Sequence, residues 1–287
     1  MQEAEWMNDA TITKTQMQAF RDQLCWEEKS PGTMEKYCRD VAAFAAWLGE
    51  RPLTKDAAGA WKAALLAGGQ APATINAKLA ALNRFFSFLG RPELRVRPLR
   101  IQRRLFRDDS RDLTREEYDR LLGAARALGR ERLALLLEAI CATGIRVSEV
   151  QYITVEAARA GRAEVALKGK IRTILIPSKL CRKLLKYAKQ QKTASGEIFL
   201  TRNGTPLSRR QIWAEMKGLC KTAGVAASEV FPHNLRHLFA AAFYRASRDI
   251  VKLADVLGHS SLETTRIYLL TSGAEHQRQL DRLGLVS

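Results

Sequence analysis

Two stretches in the first third of the chain repeat apolar side chains every three or four residues. Thr33 to Leu48 places Tyr37, Val41, Phe44, Ala45 and Leu48 on one stripe, and Thr74 to Leu89 does the same with Ile75, Leu79, Leu82, Phe85, Phe86 and Leu89. A strand, with its period of two, would send half of these side chains into water, so the spacing predicts two amphipathic helices. Ser30-Pro31-Gly32 and Gly68-Gly69-Gln70-Ala71-Pro72 punctuate their starts. Each stripe must be buried against another element, and a bundle of four or five helices over residues 12–92, after a tail at 1–11, is the simplest solution.

A second folding unit announces itself at Thr114-Arg115-Glu116-Glu117, a capping box in which a hydroxyl and a carboxylate satisfy orphan backbone donors. Leu133 to Cys141 reads as a buried helix. Ala163 to Leu167 and Arg172 to Ile176 are β-rich runs joined across Lys168-Gly169-Lys170-Ile171, which predicts a hairpin. The helical pattern returns from Ser208, opening a helix expected to continue to Lys217 and Lys221, with Trp213 on its core side. The expected fold class is mainly α with a small β-sheet in the C-terminal domain. A chain of 287 residues suits two such domains, 12–92 and 112–287, with a linker at 93–111.

Charge narrows the partner. The chain carries 47 basic against 30 acidic side chains, net +17 with a pI near 10.0, so a polyanion is the natural ligand; nucleic acid leads and an anionic membrane surface competes. Residues 1–100 hold 14 basic and 11 acidic groups, leaving 33 and 19 for the rest, so the second part holds most of the field. Arg91 to Arg107 packs seven arginines against Glu93 alone, a density that self-repels unless phosphates lie between them. Candidate DNA contacts are Lys36, Arg39, Lys78 and Arg84 on the first bundle, Arg100, Arg103 and Arg104 in the linker, and Arg209 and Arg210 opening the later helix.

Five cysteines, at 25, 38, 141, 181 and 220, form no C-x-x-C pair and leave one over, so neither a disulfide framework nor a metal site is expected. The acidic first residues and the interrupted apolar run near Leu133 to Ile145 give no reason to expect secretion or membrane anchoring; a cytoplasmic, nucleoid-associated protein is expected.

The polar residues least needed by a core are ordered near the C-terminus: Pro232-His233-Asn234-Leu235-Arg236-His237, Leu257-Gly258-His259-Ser260-Ser261, and Thr264-Thr265-Arg266-Ile267-Tyr268. Upstream stands Ala142-Thr143-Gly144-Ile145-Arg146-Val147-Ser148-Glu149. Arg236 lies one helical turn after His233, so both can face one point. Gly258 is a natural C-cap and Ser260 to Glu263 a capping box, which would set His259 at the positive end of a helix with Tyr268 about two turns down it. Arg146 has two readings, a phosphate fork or a salt bridge with Glu149, and both can hold.

These motifs resemble the tyrosine recombinase, or phage integrase, family, in its simple two-domain Xer-type and Cre-like members, over nearly the whole chain. The first bundle is similar to the family's SAM-like core-binding domain. The resemblance implies a site-specific DNA recombinase that works through a covalent 3′-phosphotyrosyl intermediate, with Arg146 and Arg236 as phosphate clamps, His233 as general base or its positioner, His259 as a further donor, and Tyr268 as nucleophile. The family's hairpin lysine falls on Lys168, with Lys170 the alternative. No metal and no cofactor are implied. The implied partners are double-stranded DNA sites and further copies of the chain in a tetramer, the tail with Leu280, Leu283 and Leu285 docking on a neighbour or packing in cis. The competing readings are a DNA-binding architectural protein without catalysis and a type IB topoisomerase-like relaxation activity.

Overall fold

The structure, a computed structural model, describes residues 11–101, 112–167, 170–268 and 281–283, with backbone alone at Leu167 and Lys170. The chain divides into two compact units that part between Arg103 and Arg104. The predicted linker arginines Arg103 and Arg104 lie outside the described residues, as do Lys168 and most of the tail. Among the described residues no helix is long and apolar enough to cross a membrane.

The first unit holds α1 (Lys14–Trp26), α2 (Pro31–Leu48), α3 (Lys55–Ala67) and α4 (Pro72–Phe88), followed by a 3-10 turn at Pro92–Leu94. The two stripes fall on α2 and α4. Proline at the first turn starts both, where the missing N–H costs nothing, while Thr13 and Thr54 cap α1 and α3 through their hydroxyls. Phe20, Phe44, Phe85 and Phe86 are all at most 1% exposed. They meet edge to face, Phe20 on Phe85 at 5.2 Å and Phe44 on Phe86 at 6.1 Å between ring centres, so the core is dominated by large aromatic area.

Beyond α4 the chain turns back along it. Asn76 and Asn83, two helical turns apart, each pair with a backbone unit of this returning segment. Asn76 donates to Leu99 O at 2.9 Å and accepts from Leu99 N at 2.7 Å; Asn83 does the same at Val96, at 2.9 and 2.8 Å. Side-chain amides thus replace a neighbouring strand. Val96 is buried, Arg95, Arg97 and Arg100 are exposed, and Lys62 donates to Arg97 O at 2.9 Å.

The second unit opens with α5 (Arg115–Ala127), capped by the predicted Thr114–Glu117 box, and α6 (Glu131–Thr143), whose Leu133, Leu136, Leu137 and Ile140 are at most 1% exposed. A 3-10 helix (Val147–Tyr152) and α7 (Val155–Ala160) lead to the antiparallel hairpin β1 (Arg162–Leu167) and β2 (Lys170–Leu175), with Val165 opposite Arg172 and Leu167 opposite Lys170. The hairpin therefore starts pairing two residues earlier on its return than predicted, because Lys170 and the β-branched Ile171 join the ladder rather than the turn. Then come α8 (Ser178–Gln190), α9 (Arg209–Lys217), α10 (Cys220–Ala223), α11 (Pro232–Ser247), α12 (Ile250–Leu257) and α13 (Leu262–Arg266). The basic helix from Ser208 does not reach Lys221. It stops at Gly218, a poor helix residue, and Leu219 and Cys220 turn into the core at 0% and 8% exposure.

Candidate active site

The site grows from the end of α6. Gly144 closes that helix at φ +64°, and a Cβ there would fall 2.3 Å from Phe239 Cδ1, so both backbone conformation and close approach demand glycine. The turn delivers Arg146 to the start of the 3-10 helix, where Glu149 folds back on it. Glu149 Oε2 accepts from Arg146 N at 2.7 Å and Oε1 from Arg146 Nη1 at 3.0 Å. Glu149 is 2% exposed, so its charge survives burial only because cations hold it; Arg172 Nη2 supplies the second, 2.6 Å from Oε2. The salt-bridge reading of Arg146 holds, and its side chain is still 42% exposed.

Arg236, on the first turns of α11, is 2% exposed. Its Nη1 donates to Gly144 O at 2.5 Å and its Nη2 to Leu257 O at 2.8 Å, so it joins the ends of α6 and α12. Nη2 also lies 2.9 Å from His259 Nε2. A guanidinium only donates, so Nε2 accepts, which puts the imidazole proton on Nδ1, donating to Thr265 Oγ1 at 2.9 Å. The pKa of His259 is pushed down to about 4, by burial first and then by Arg236, Arg146 and Arg172. Burial likewise lowers the pKa of Arg236, and the neighbouring Tyr268 opposes it.

Tyr268 is not two turns down a helix from His259. Helix α13 ends at Arg266, and Tyr268 sits in the turn after it, its N–H donating to Thr265 O at 3.0 Å. The cap is also one residue later than predicted: Ser261, not Ser260, accepts from Glu263 N at 3.2 Å, because the left-handed Gly258 uses one more residue to redirect the chain. The phenol ring is 7% exposed and packs with Ala240, Leu253 and Leu257. It stacks nearly parallel to His259, centres 5.8 Å apart, lies 4.2 Å from the His237 ring and 6.2 Å from that of His233. His233 itself is exposed on the first turn of α11, with His237 edge-on to it at 4.7 Å. Four of the six predicted catalytic residues, His233, Arg236, His259 and Tyr268, are therefore within one cluster, and Arg146 is near enough to act on the charge of Arg236 and His259. Lys168 lies outside the described residues, and the Lys170 side chain is not described.

The predicted DNA contacts are spread over both units. Lys36, Arg39 and Lys78 line a depression of about 490 Å³ between α2 and α4, with Asp40 buried at its floor, 3.0 Å from Lys36 and 3.7 Å from Arg39. Arg84 pairs with Glu27. Arg100, Arg209 and Arg210 are exposed. Trp213 is not a core residue: Ile212 and Met216 fill the core from α9, while Trp213 is 50% exposed with Lys217 Nζ 5.0 Å from its ring centre.

Sequence reasoning missed Arg172, His237 and Thr265 as members of the site. Arg172 shares strand parity with Ile174 and Ile176, and a charge at an inward position is itself a signal of a buried partner. His237, four residues after His233, sits on the same helical face. Thr265 is 0% exposed and gave no signal. Among the described residues no cluster of His, Cys, Asp or Glu is arranged to hold a metal ion.

Residues 111–274 match the phage integrase family, and residues 17–93 match the phage integrase N-terminal SAM-like domain. Tyrosine recombinase XerA of Thermococcus kodakarensis is 31% identical over 273 residues, 92% of this chain and 93% of the relative. Tyrosine recombinase XerA of Pyrococcus furiosus is 30% identical over 290 residues, covering 98% of each. Among solved structures, a lambda integrase tetramer bound to a Holliday junction shares the fold, with a TM-score of 0.72 at 19% identity over 93% of this chain and 80% of that one. The XerH site-specific recombinase bound to its difH substrate is similar at a TM-score of 0.67, 20% identity, and 88% and 78% coverage. On the motifs, the two matched domains and these relatives, the chain belongs to the phage integrase family of tyrosine recombinases.

Proposed function

We propose that the protein is a site-specific DNA recombinase that cuts and rejoins strands through a 3′-phosphotyrosyl intermediate on Tyr268. The observation that carries this reading is that one buried guanidinium, Arg236, bonds His259, whose ring stacks on that of Tyr268 with centres 5.8 Å apart. The Tyr268 oxygen attacks phosphorus, the bond from phosphorus to the 5′ oxygen breaks, and the 3′ phosphate stays on the tyrosine. An ordinary phenol has a pKa of ~10, so its proton must leave as the new bond forms, and His233 is the acceptor. Lys168 protonates the departing 5′ oxygen. Arg146 and Arg236 hold the charge that builds on the phosphate oxygens, while the incoming anion raises the pKa of His259 and turns it from acceptor to donor. The ester keeps the energy of the broken bond, so a 5′ hydroxyl from another strand reverses the step without a nucleotide cofactor. With Tyr268 7% and Arg236 2% exposed, attack requires the turn after α13 to move outward when DNA binds.

Lys36, Arg39, Lys78, Arg84, Arg100, Arg103, Arg104, Arg209 and Arg210 grip the duplex backbone in this reading, and four copies assemble on two cytoplasmic, nucleoid DNA sites. The test is a duplex nicked beside the cleavage position, incubated with protein and run on a denaturing gel. A covalent adduct that disappears in Tyr268→Phe while DNA binding persists is expected. Binding without adduct by the unaltered protein would mean an architectural role, and relaxation of a plasmid lacking a recombination site would mean a topoisomerase.

A further inference from the structure

Arg172 stands at an inward position of β2, between the exposed Ile171 and Thr173 and on the same face as the buried Ile174 and Ile176. A charge there must find partners, and those it finds belong to two different parts of the site. Nη2 donates to Glu149 Oε2 at 2.6 Å, on the carboxylate that also fixes Arg146; Nη1 donates to Val256 O at 3.2 Å, next to the end of α12. Its stem fills the space over Gly258, where a Cβ would meet Arg172 Cδ at 2.4 Å and Nη1 at 2.7 Å. Gly258 is followed directly by His259. The same strand begins at Lys170, so this one side chain touches the hairpin, the Arg146 turn and the His259 segment.

We propose that Arg172 is a positioning residue for strand cleavage, locking Glu149 and hence Arg146 in register with His259 and adding a third positive charge behind the phosphate site. This inference rests on the recombinase reading of that site. Glu149 has both oxygens engaged, and without Arg172 it keeps one cation and a backbone N–H, leaving the carboxylate freer to rotate and the Arg146 fork with it. Displacement of a reacting geometry by about 1 Å costs on the order of 100-fold in rate. The charge effect is separable from the packing effect. His259 faces Arg236 and His233 from α11, Arg146 from the 3-10 helix, Arg172 from β2, Thr265 from α13, and the Tyr268 ring. Removing one of the three guanidinium charges lets the imidazole hold its proton to higher pH, whereas a purely structural loss leaves it where it was.

Two variants separate these contributions. Arg172→Met keeps the stem over Gly258 and removes charge and fork; Arg172→Lys keeps stem and charge and loses the fork. Three quantities are measured: the rate of adduct formation on the nicked duplex at saturating protein, DNA affinity, and the His259 titration by NMR. Both variants are expected to form adduct about 10- to 100-fold more slowly with DNA affinity unchanged, and His259 titrates higher in the Met variant but not in the Lys variant. Adduct formation at the unaltered rate by a folded Met variant overturns the proposal. So does a slowed Met variant whose His259 titration has not moved, since Arg172 then adds no charge to the site. Where the Met variant fails to fold, the Lys variant decides alone, a slowed rate supporting the proposal and an unaltered rate ending it. Absence of adduct from the unaltered protein with every duplex would instead sink the recombinase reading, and the His259 titration would still judge whether Arg172 sets the charge there.

Discussion

His259 spends its two ring nitrogens on an arginine and a threonine, an arrangement that works only while the imidazole is neutral. Its pKa lies below the ordinary value of 6.5, at about 4, so between these values the unfolded chain binds more protons than the folded one. The contribution is thus complete above pH 6.5 and is lost as pH falls through about 4. It is on the order of 2 kcal/mol after allowance for partial solvent exposure. Urea unfolding at a series of pH values should show this slope, and His259→Gln should flatten it. Arg236→Lys is expected to cost about 2–4 kcal/mol, because an ammonium cannot satisfy Gly144 O, Leu257 O and His259 from one plane, and chemical denaturation measures that directly. At this scale the motifs named Arg146, Arg236, His259 and Tyr268 from the chain alone. They did not name Arg172, because its partners come from Glu149 and the end of α12, which no local spacing connects.

Elements inherit their limits from single residues. Gly144 lets α6 end and Arg146 turn into the site; Gly144→Ala adds left-handed strain to a collision with the Phe239 ring and should lower stability by about 2–5 kcal/mol in thermal melts. On α9 the prediction is a contrast. Trp213→Ala should cost less than about 1 kcal/mol because its ring is half in solvent, while Ile212→Ala, which empties a 0% exposed site, should cost about 2–5 kcal/mol. Periodicity identified α9 as a helix but could not say which of Ile212 and Trp213, neighbours in sequence, faced the core. The ends of α9 and α13 were misplaced for a related reason. Gly218 and Gly258 redirect the chain, and the burial of Leu219, Cys220 and Thr265 that rewards the redirection depends on residues distant in sequence.

For the whole molecule, the net charge of +17 makes DNA capture a salt-dependent event. If Arg209 and Arg210 each meet a phosphate, replacing both with Ala should flatten the slope of log affinity against log salt by about 1.8, measured by fluorescence anisotropy on a cognate duplex. Two helical stripes, one capping box and a hairpin were enough to foresee a helical first unit and a mixed second one, because each signal is satisfied locally. The asparagine pairing of the chain leaving α4 was invisible, since Asn76 and Asn83 look like ordinary polar positions until Val96 and Leu99 arrive opposite them. That pairing gives the enzyme two built-in deuterium clocks. The amides of Val96 and Leu99 trade their protons for solvent only when an asparagine lets go, so their joint acceleration on adding DNA would time the peeling of this segment, and their joint silence would mean that the first unit hands its chain onward from an anchored point.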